Sequence, residues 1–248
     1  MMKFITFAFT LASLLMSTAS AEKGYLPAIQ NIYALYSGVL IKGPVKEINA
    51  TFYTENNIVA HEINLKLDEN SCIESFESIS SAANQHIQLA REDNQLKGRS
   101  AQGEIIINLD DQCRFISQKD HYGTAYFEYN ERGYIKSITN SSSDTIDTLV
   151  YSHLGELQEM NYYDNNQLYM QTIYTPIADS ERYADIRIEQ KMLGDLGYSV
   201  DRKCQYNPSG APTTCQVLTT YDVDGKMQTQ KQSLVIETQF YEVQGEGK

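Results

Sequence analysis

The chain has 248 residues, 20 basic against 32 acidic side chains, and a formal net charge of −12. That surplus of carboxylates opposes phosphate backbones and anionic lipid faces, so nucleic acid is not expected as a partner. At this length the chain folds as one large β domain or two small ones, with enough sequence to bury a real core.

The N-terminus reads Met1-Met2-Lys3, then an apolar run from Phe4 to Met16, then Ala19-Ser20-Ala21. A positive start, an apolar centre and small residues before the cut are the three parts of a secretory signal peptide. The alternative, a buried N-terminal helix, fits those flanks less well. The run is too short to anchor the chain in a bilayer, and no second apolar run follows, so no membrane span is expected. Cleavage after Ala21 leaves 22–248. It removes Lys3 alone among the charged residues, so the mature chain is more acidic still. The expected compartment is the periplasm.

From Phe52 onward one local pattern recurs: a tyrosine or other strand residue, a turn opener, two polar residues, Gly or Asn, then an apolar alternation. The clearest copies are Tyr129-Asn130-Glu131-Arg132-Gly133-Tyr134, Tyr206-Asn207-Pro208-Ser209-Gly210 and Tyr221-Asp222-Val223-Asp224-Gly225. Weaker copies follow Tyr53, Leu67, Tyr151 and Tyr163. Asp or Asn opens a type I turn by bonding nearby backbone, and Gly or Asn then takes the left-handed conformation that closes a bulged hairpin loop. Flanking alternation, as in Tyr134-Ile135-Lys136-Ser137-Ile138, suits strands with one buried face. Unequal spacing predicts a meander of unequal strands.

Helical periodicity is scarce. Ile73 to Ile79 has apolar residues at a helical spacing, but His86 to Ala90 alternates; a hairpin is favoured there, with a short helix as the alternative. Ala184 to Met192 alternates and ends at the turn Gly194-Asp195-Leu196-Gly197. The least structured stretches are expected at 22–26, 93–103, 141–144 and the tail from Gln244. The predicted fold is therefore all-β, with little helix. It is an antiparallel meander of β-hairpins forming a curved or partly closed sheet. The chain divides into a signal peptide, 1–21, and a single all-β domain, 22–248, ordered over about 35–242.

The cysteines are Cys72, Cys113, Cys204 and Cys215. An even count in an exported protein implies two disulfides, and no Cys-x-x-Cys spacing suggests zinc or redox chemistry. Three pairings are possible. A two-residue loop at Ser209-Gly210 would set Cys204 opposite Cys215, within disulfide reach. A longer loop or a bulge would shift that register by one residue. The facing pair leaves Cys72 for Cys113.

Lys42-Gly43-Pro44-Val45-Lys46, Ser71-Cys72, Gln112-Cys113, Cys204-Gln205-Tyr206, Cys215-Gln216 and the C-terminal strand ending at Tyr241 together resemble the enterobacterial YnfC lipoprotein family, which is uncharacterised; the hairpins also resemble tyrosine-aspartate repeats. The resemblance spans about residues 35–242 and places all four cysteines at the family's cysteine positions. Those lipoproteins carry a cysteine at the cleavage site. Here the site is Ala19-Ser20-Ala21-Glu22, so a lipid anchor is not carried over. The family offers no catalytic residues to transfer.

No residue is nominated as catalytic, cofactor-binding or metal-binding, and no cofactor is expected. His61, His86, His121 and His153 lack metal-ligand spacing. Asp222-Val223-Asp224-Gly225 begins like a calcium loop but lacks the later Glu, and a turn explains it. Gly98-Arg99-Ser100-Ala101-Gln102-Gly103 is one residue too long for a nucleophile elbow. The tyrosines admit two readings: an exposed binding platform, or cross-strand packing. The favoured function is a non-enzymatic envelope module that binds a protein or glycan of the envelope. The alternative is a periplasmic hydrolase using dispersed carboxylates.

Overall fold

The computed structural model describes residues 24–242 apart from 82, 143, 178 and 179. The predicted signal peptide, 1–21, and the tail from Gln244 lie outside the described residues. One helix, α1 (Pro27–Tyr36), precedes sixteen strands. They are β1 (Val45–Thr54), β2 (Val59–Leu67), β3 (Ile73–Ser80), β4 (Gln85–Glu92), β5 (Gln95–Ser100), β6 (Gly103–Leu109), β7 (Phe115–Asp120) and β8 (Gly123–Tyr129). Then follow β9 (Ile135–Asn140), β10 (Thr145–Tyr151), β11 (Leu157–Asp164), β12 (Gln167–Pro176), β13 (Ile186–Met192), β14 (Asp195–Tyr206), β15 (Pro212–Val223) and β16 (Lys226–Phe240). Each strand pairs antiparallel with the next, and β16 pairs with β1. The predicted curved or partly closed sheet is thus a fully closed barrel, which leaves no unpaired edge.

The recurrent turn has the predicted chemistry. Asp68, Asp110, Asn130, Ser152 and Asn207 each open a three-residue loop whose first N–H bonds the carbonyl four residues on. In each, the opener's side-chain oxygen accepts two further backbone N–H groups. The closing residue is left-handed: Gly133, Gly155 and Gly210, but also Ser71 and Cys113. Other hairpins turn more tightly. Asn165-Asn166, Leu193-Gly194 and Asp224-Gly225 have positive φ at both positions, the type I′ signature. The expected turn over Asp222–Gly225 is this shorter one, since Val223 pairs with Lys226.

Three expectations need correction. Asp93–Gly103 is not irregular; it holds β5, between two-residue turns. The helix α1 lies ahead of residue 35, where the sequence reading began the ordered core. Its Pro27 occupies the first helical turn, where a missing N–H costs nothing. Finally, Asn207 to Ala211 closes a three-residue loop, and not a two-residue one. A register shift between Gln205 and Tyr206 compensates, so Cys204 still faces Cys215.

Alternate residues point inward and form the core. Ala50 pairs with Ile63, Leu65 with Phe76, Phe76 with Leu89, and Leu109 with Phe115; all are buried. The outward positions between them carry ion pairs: Glu47 with Lys66, Lys136 with Glu128, and Arg187 with Asp201. This is the reverse of a transmembrane barrel, whose outer band is apolar and whose interior is polar. A barrel of this strand number is too wide for side chains alone to fill. The helix supplies the missing volume: Ile29, Ile32 and Tyr33 are buried in the core. Asn31 holds it there by donating to Gly133 O (3.2 Å) and accepting from Ile135 N–H (3.0 Å). Gln30 donates to Gly155 O (3.1 Å). All three contacts fall at the turns of one end, called here the helix end. The disulfides Cys72–Cys113 and Cys204–Cys215 close at that same end.

Candidate binding surfaces

A broad concavity of about 1130 Å³ lies outside the barrel, over β1–β6. The strand registers align one outward row across all six strands: Asn49, Asn64, Glu77, Gln88, Arg99 and Glu104. Each member carries a planar polar head. Two ion pairs frame the row, Glu47–Lys66 (3.9 Å) and Lys97–Glu92 (2.9 Å), and within it Glu77 is hydrogen-bonded to His86 Nε2 (2.9 Å). Glu92 beside Lys97 holds its ammonium above the usual lysine range through a hydrogen bond. The Arg99 and Glu104 heads sit in register without an ion pair between them. Gly98 makes the floor possible. A Cβ there would lie 1.7 Å from the Gln88 carbonyl oxygen, so β4 and β5 approach as only glycine allows.

A smaller pocket of about 320 Å³ opens beside the last turn of α1. In it His61 Nε2 lies 2.8 Å from Ser78 Oγ, and the imidazole stacks on Phe52. Burial lowers the His61 pKa, so the ring is neutral at physiological pH.

The tyrosines do not form an outer platform; the packing reading describes most of them. Tyr33 meets Tyr174 edge-on, Tyr36 stacks on Phe76, and Tyr134 lies against Tyr151. Burial drives the phenols of Tyr25, Tyr33, Tyr36, Tyr151 and Tyr174 above their usual range, so they remain protonated. Tyr25, Tyr183 and Tyr206 form a chain of edge contacts, with the Lys42 ammonium over the first two rings and 3.4 Å from Glu156. This cluster fastens the segment after α1 to the helix end. Of the tyrosines left exposed, Tyr162 and Tyr169 touch each other near the opposite end.

The histidines are dispersed: His61 on Ser78, His86 on Glu77, His121 against Tyr122, and His153 in a turn. Among the described residues, no three His, Cys, Asp or Glu side chains gather at metal-binding distance. Asp222 accepts the Gly225 N–H within its hairpin. The stretch Gly98–Gly103 crosses from β5 to β6. Two features escaped the sequence reading. The polar row needs the register between six strands, which no local pattern encodes. The inward carboxylate Asp147 was within reach, because alternation with Leu149 and Tyr151 already assigns it to the inner face.

No curated protein matches the chain. A porin-like protein from Bacteroides uniformis has a similar structure, with a TM-score of 0.52 and 12% identity over 79% of this chain and 97% of that one. That likeness concerns the fold. The Pseudomonas aeruginosa MucA/MucB complex aligns over 78% of this chain and 88% of that one, at 10% identity and a TM-score of 0.15, and carries no weight. A family profile, by contrast, matches almost end to end, over residues 6–241: the chain belongs to the uncharacterised protein family UPF0257.

Proposed function

We propose that the protein is an exported, non-enzymatic binding module of the bacterial envelope, of the YnfC type but without the lipid anchor. In this reading residues 1–21 direct export, 22–248 form the working domain, and the periplasm is its place of action. The disulfides support an oxidising compartment. The charged outer wall supports a barrel that stands in water.

The observation that carries the binding reading is the in-register row Asn49–Asn64–Glu77–Gln88–Arg99–Glu104 in the concavity over β1–β6. Planar amide, carboxylate and guanidinium heads at the strand spacing of about 4.8 Å present donors and acceptors in a line. An extended, hydroxyl-rich polymer suits such a row, and the ligand is therefore an envelope glycan. Within the row Glu77 is engaged by His86 and Asn49 by Glu47, which leaves the heads of Asn64, Gln88, Arg99 and Glu104 to meet the ligand.

The test is retention of the purified protein on insoluble peptidoglycan glycan strands, compared with the double variant Gln88→Ala/Arg99→Ala. Both positions are on the outer wall, so the fold should persist. Retention lost in the double variant is the expected result. Equal retention, or none for the parent protein, removes the groove from the argument.

A further inference from the structure

An inward-facing row of side chains reaches the barrel mouth at the end opposite the helix contacts. An inward row runs across β9–β13: Ile138 pairs with Asp147, Asp147 with Tyr162, Tyr162 with Met170, and Met170 with Met192. Ile138 is buried core, which fixes the whole row on the inner face. Yet Tyr162 is 36% exposed and Met192 43%. The inner wall thus passes from packed core to open mouth within one row. Barrel mouths of this kind, apolar with a few convergent polar groups, are a common place for small ligands.

The polar group here is Asp147. Its Oδ1 is buried and has no hydrogen-bond partner. Burial alone lifts its carboxyl to about 6, with no neighbouring charge contributing. A carboxylate in this state lacks a cation. Beside it, across the β10–β11 register, stands the Tyr162 ring, and beyond that two thioethers. Carboxylate, aromatic face and polarisable sulfur are the components that receive an organic ammonium: the first by charge, the ring by its quadrupole, the methionines by adapting to an apolar body. The chain's net charge of −12 favours approach of a cation in addition.

We propose that this mouth binds an organic cation on an apolar body, of the alkylammonium class, with Asp147 receiving the charge and Tyr162, Met170 and Met192 receiving the body. The site is separate from the outer groove, and each reading can fail without the other.

Three probes of one length test it: hexyltrimethylammonium, 1-hexanol and hexanoate. Binding is followed by calorimetry and by the methyl NMR signals of Met170 and Met192. The expected result is that the ammonium shifts both methyl signals and binds at least tenfold more tightly than hexanol, with hexanoate weakest. Asp147→Asn should cost the ammonium about tenfold and leave hexanol unchanged. Tyr162→Leu, which keeps an apolar side chain at this partly exposed position, should weaken the ammonium as well. Equal affinity for ammonium and hexanol, an unaffected Asp147→Asn variant, or methyl signals that no probe moves would each overturn the proposal.

Discussion

The two ends of the barrel are built differently. At the helix end, five hairpins use three-residue loops whose Asp, Asn or Ser opener ties down the loop backbone. Both disulfides and the side-chain contacts of Gln30 and Asn31 lie there. At the opposite end, several loops are two-residue turns, and apolar side chains lie in or beside its loops: Leu193 is 72% exposed, Met227 62% and Ile58 63%. The contrast teaches that one end carries the fold's fastenings. The other end has fewer: Asn140 ties down the β9–β10 loop and Thr54 the β1–β2 loop, but neither disulfide reaches it, and there apolar side chains face water without a packing return.

The largest test of this contrast removes a fastening. Cys72–Cys113 joins the β2–β3 turn to the β6–β7 turn, with a sequence separation of 41. Loop entropy assigns such a bridge about 4 kcal/mol, and the Cys204–Cys215 bridge about 3 kcal/mol. Cys72→Ser/Cys113→Ser should therefore lower the urea unfolding free energy by about 4 kcal/mol. A loss below about 1 kcal/mol would mean that the helix end does not depend on its cross-link.

Next in size is the helix itself. Asn31→Leu leaves Gly133 O and Ile135 N–H without their partner inside the barrel. Two buried unpaired backbone groups should cost about 2 to 3 kcal/mol. The same unfolding experiment reads it. Hydrogen exchange adds a local check, since the Ile135 amide should lose protection first.

How far this architecture was legible follows from the range of each signal. The hairpins were readable because turn chemistry is local: Asn130 and Gly133 perform both halves of their loop within four residues. Facing of Cys204 and Cys215 was reached through a loop one residue too short, and a bulge at Gln205/Tyr206 made up the difference. Closure of the sheet was not readable, because the pairing of β1 with β16 joins the two ends of the chain. The helix was missed although Ile29, Ile32, Tyr33 and Tyr36 stand at the i, i+3, i+4, i+7 spacing of one helix face, and nothing local marks its polar Gln30 and Asn31 as buried. Those residues are buried and polar because they bond barrel turns more than a hundred residues away. The groove and the mouth were hidden for the same reason: each is a row across strands, and a row exists only once the register is set.

The third test concerns the less fastened half. Asp147 is buried without compensation, so its folded pKa of about 6 stands above the ordinary carboxylate value. The protonated form is favoured by folding. Its contribution to stability is therefore complete below about pH 4 and lost as pH rises through about 6. Asp147→Asn, which keeps the shape and removes the charge, should raise stability by about 2 kcal/mol at pH 8 and change nothing at pH 3.5. A pH-independent difference would assign the effect to packing.

The smallest expected effect addresses the turn tips. Leu193 has a φ of +51° and is 72% exposed. A left-handed leucine costs about 1 kcal/mol, and its exposed side chain recovers little of that by burial. Asparagine tolerates the conformation, so Leu193→Asn should stabilise by about 0.5 kcal/mol, which for a domain of this size raises the melting temperature by about 2 °C. The corresponding change at the helix end, Gly155→Asn, meets a different constraint. That φ of +83° is also left-handed, but a Cβ there would lie 2.9 Å from Cε2 of the buried Tyr134 ring. There the side chain meets packed core, and the variant should lose stability. Opposite signs for one type of substitution at the two ends would separate turn strain from fastening. If Leu193→Asn also destabilises, then Leu193 has a packing role, and the turn tips belong to the fold rather than to whatever meets this end of the barrel.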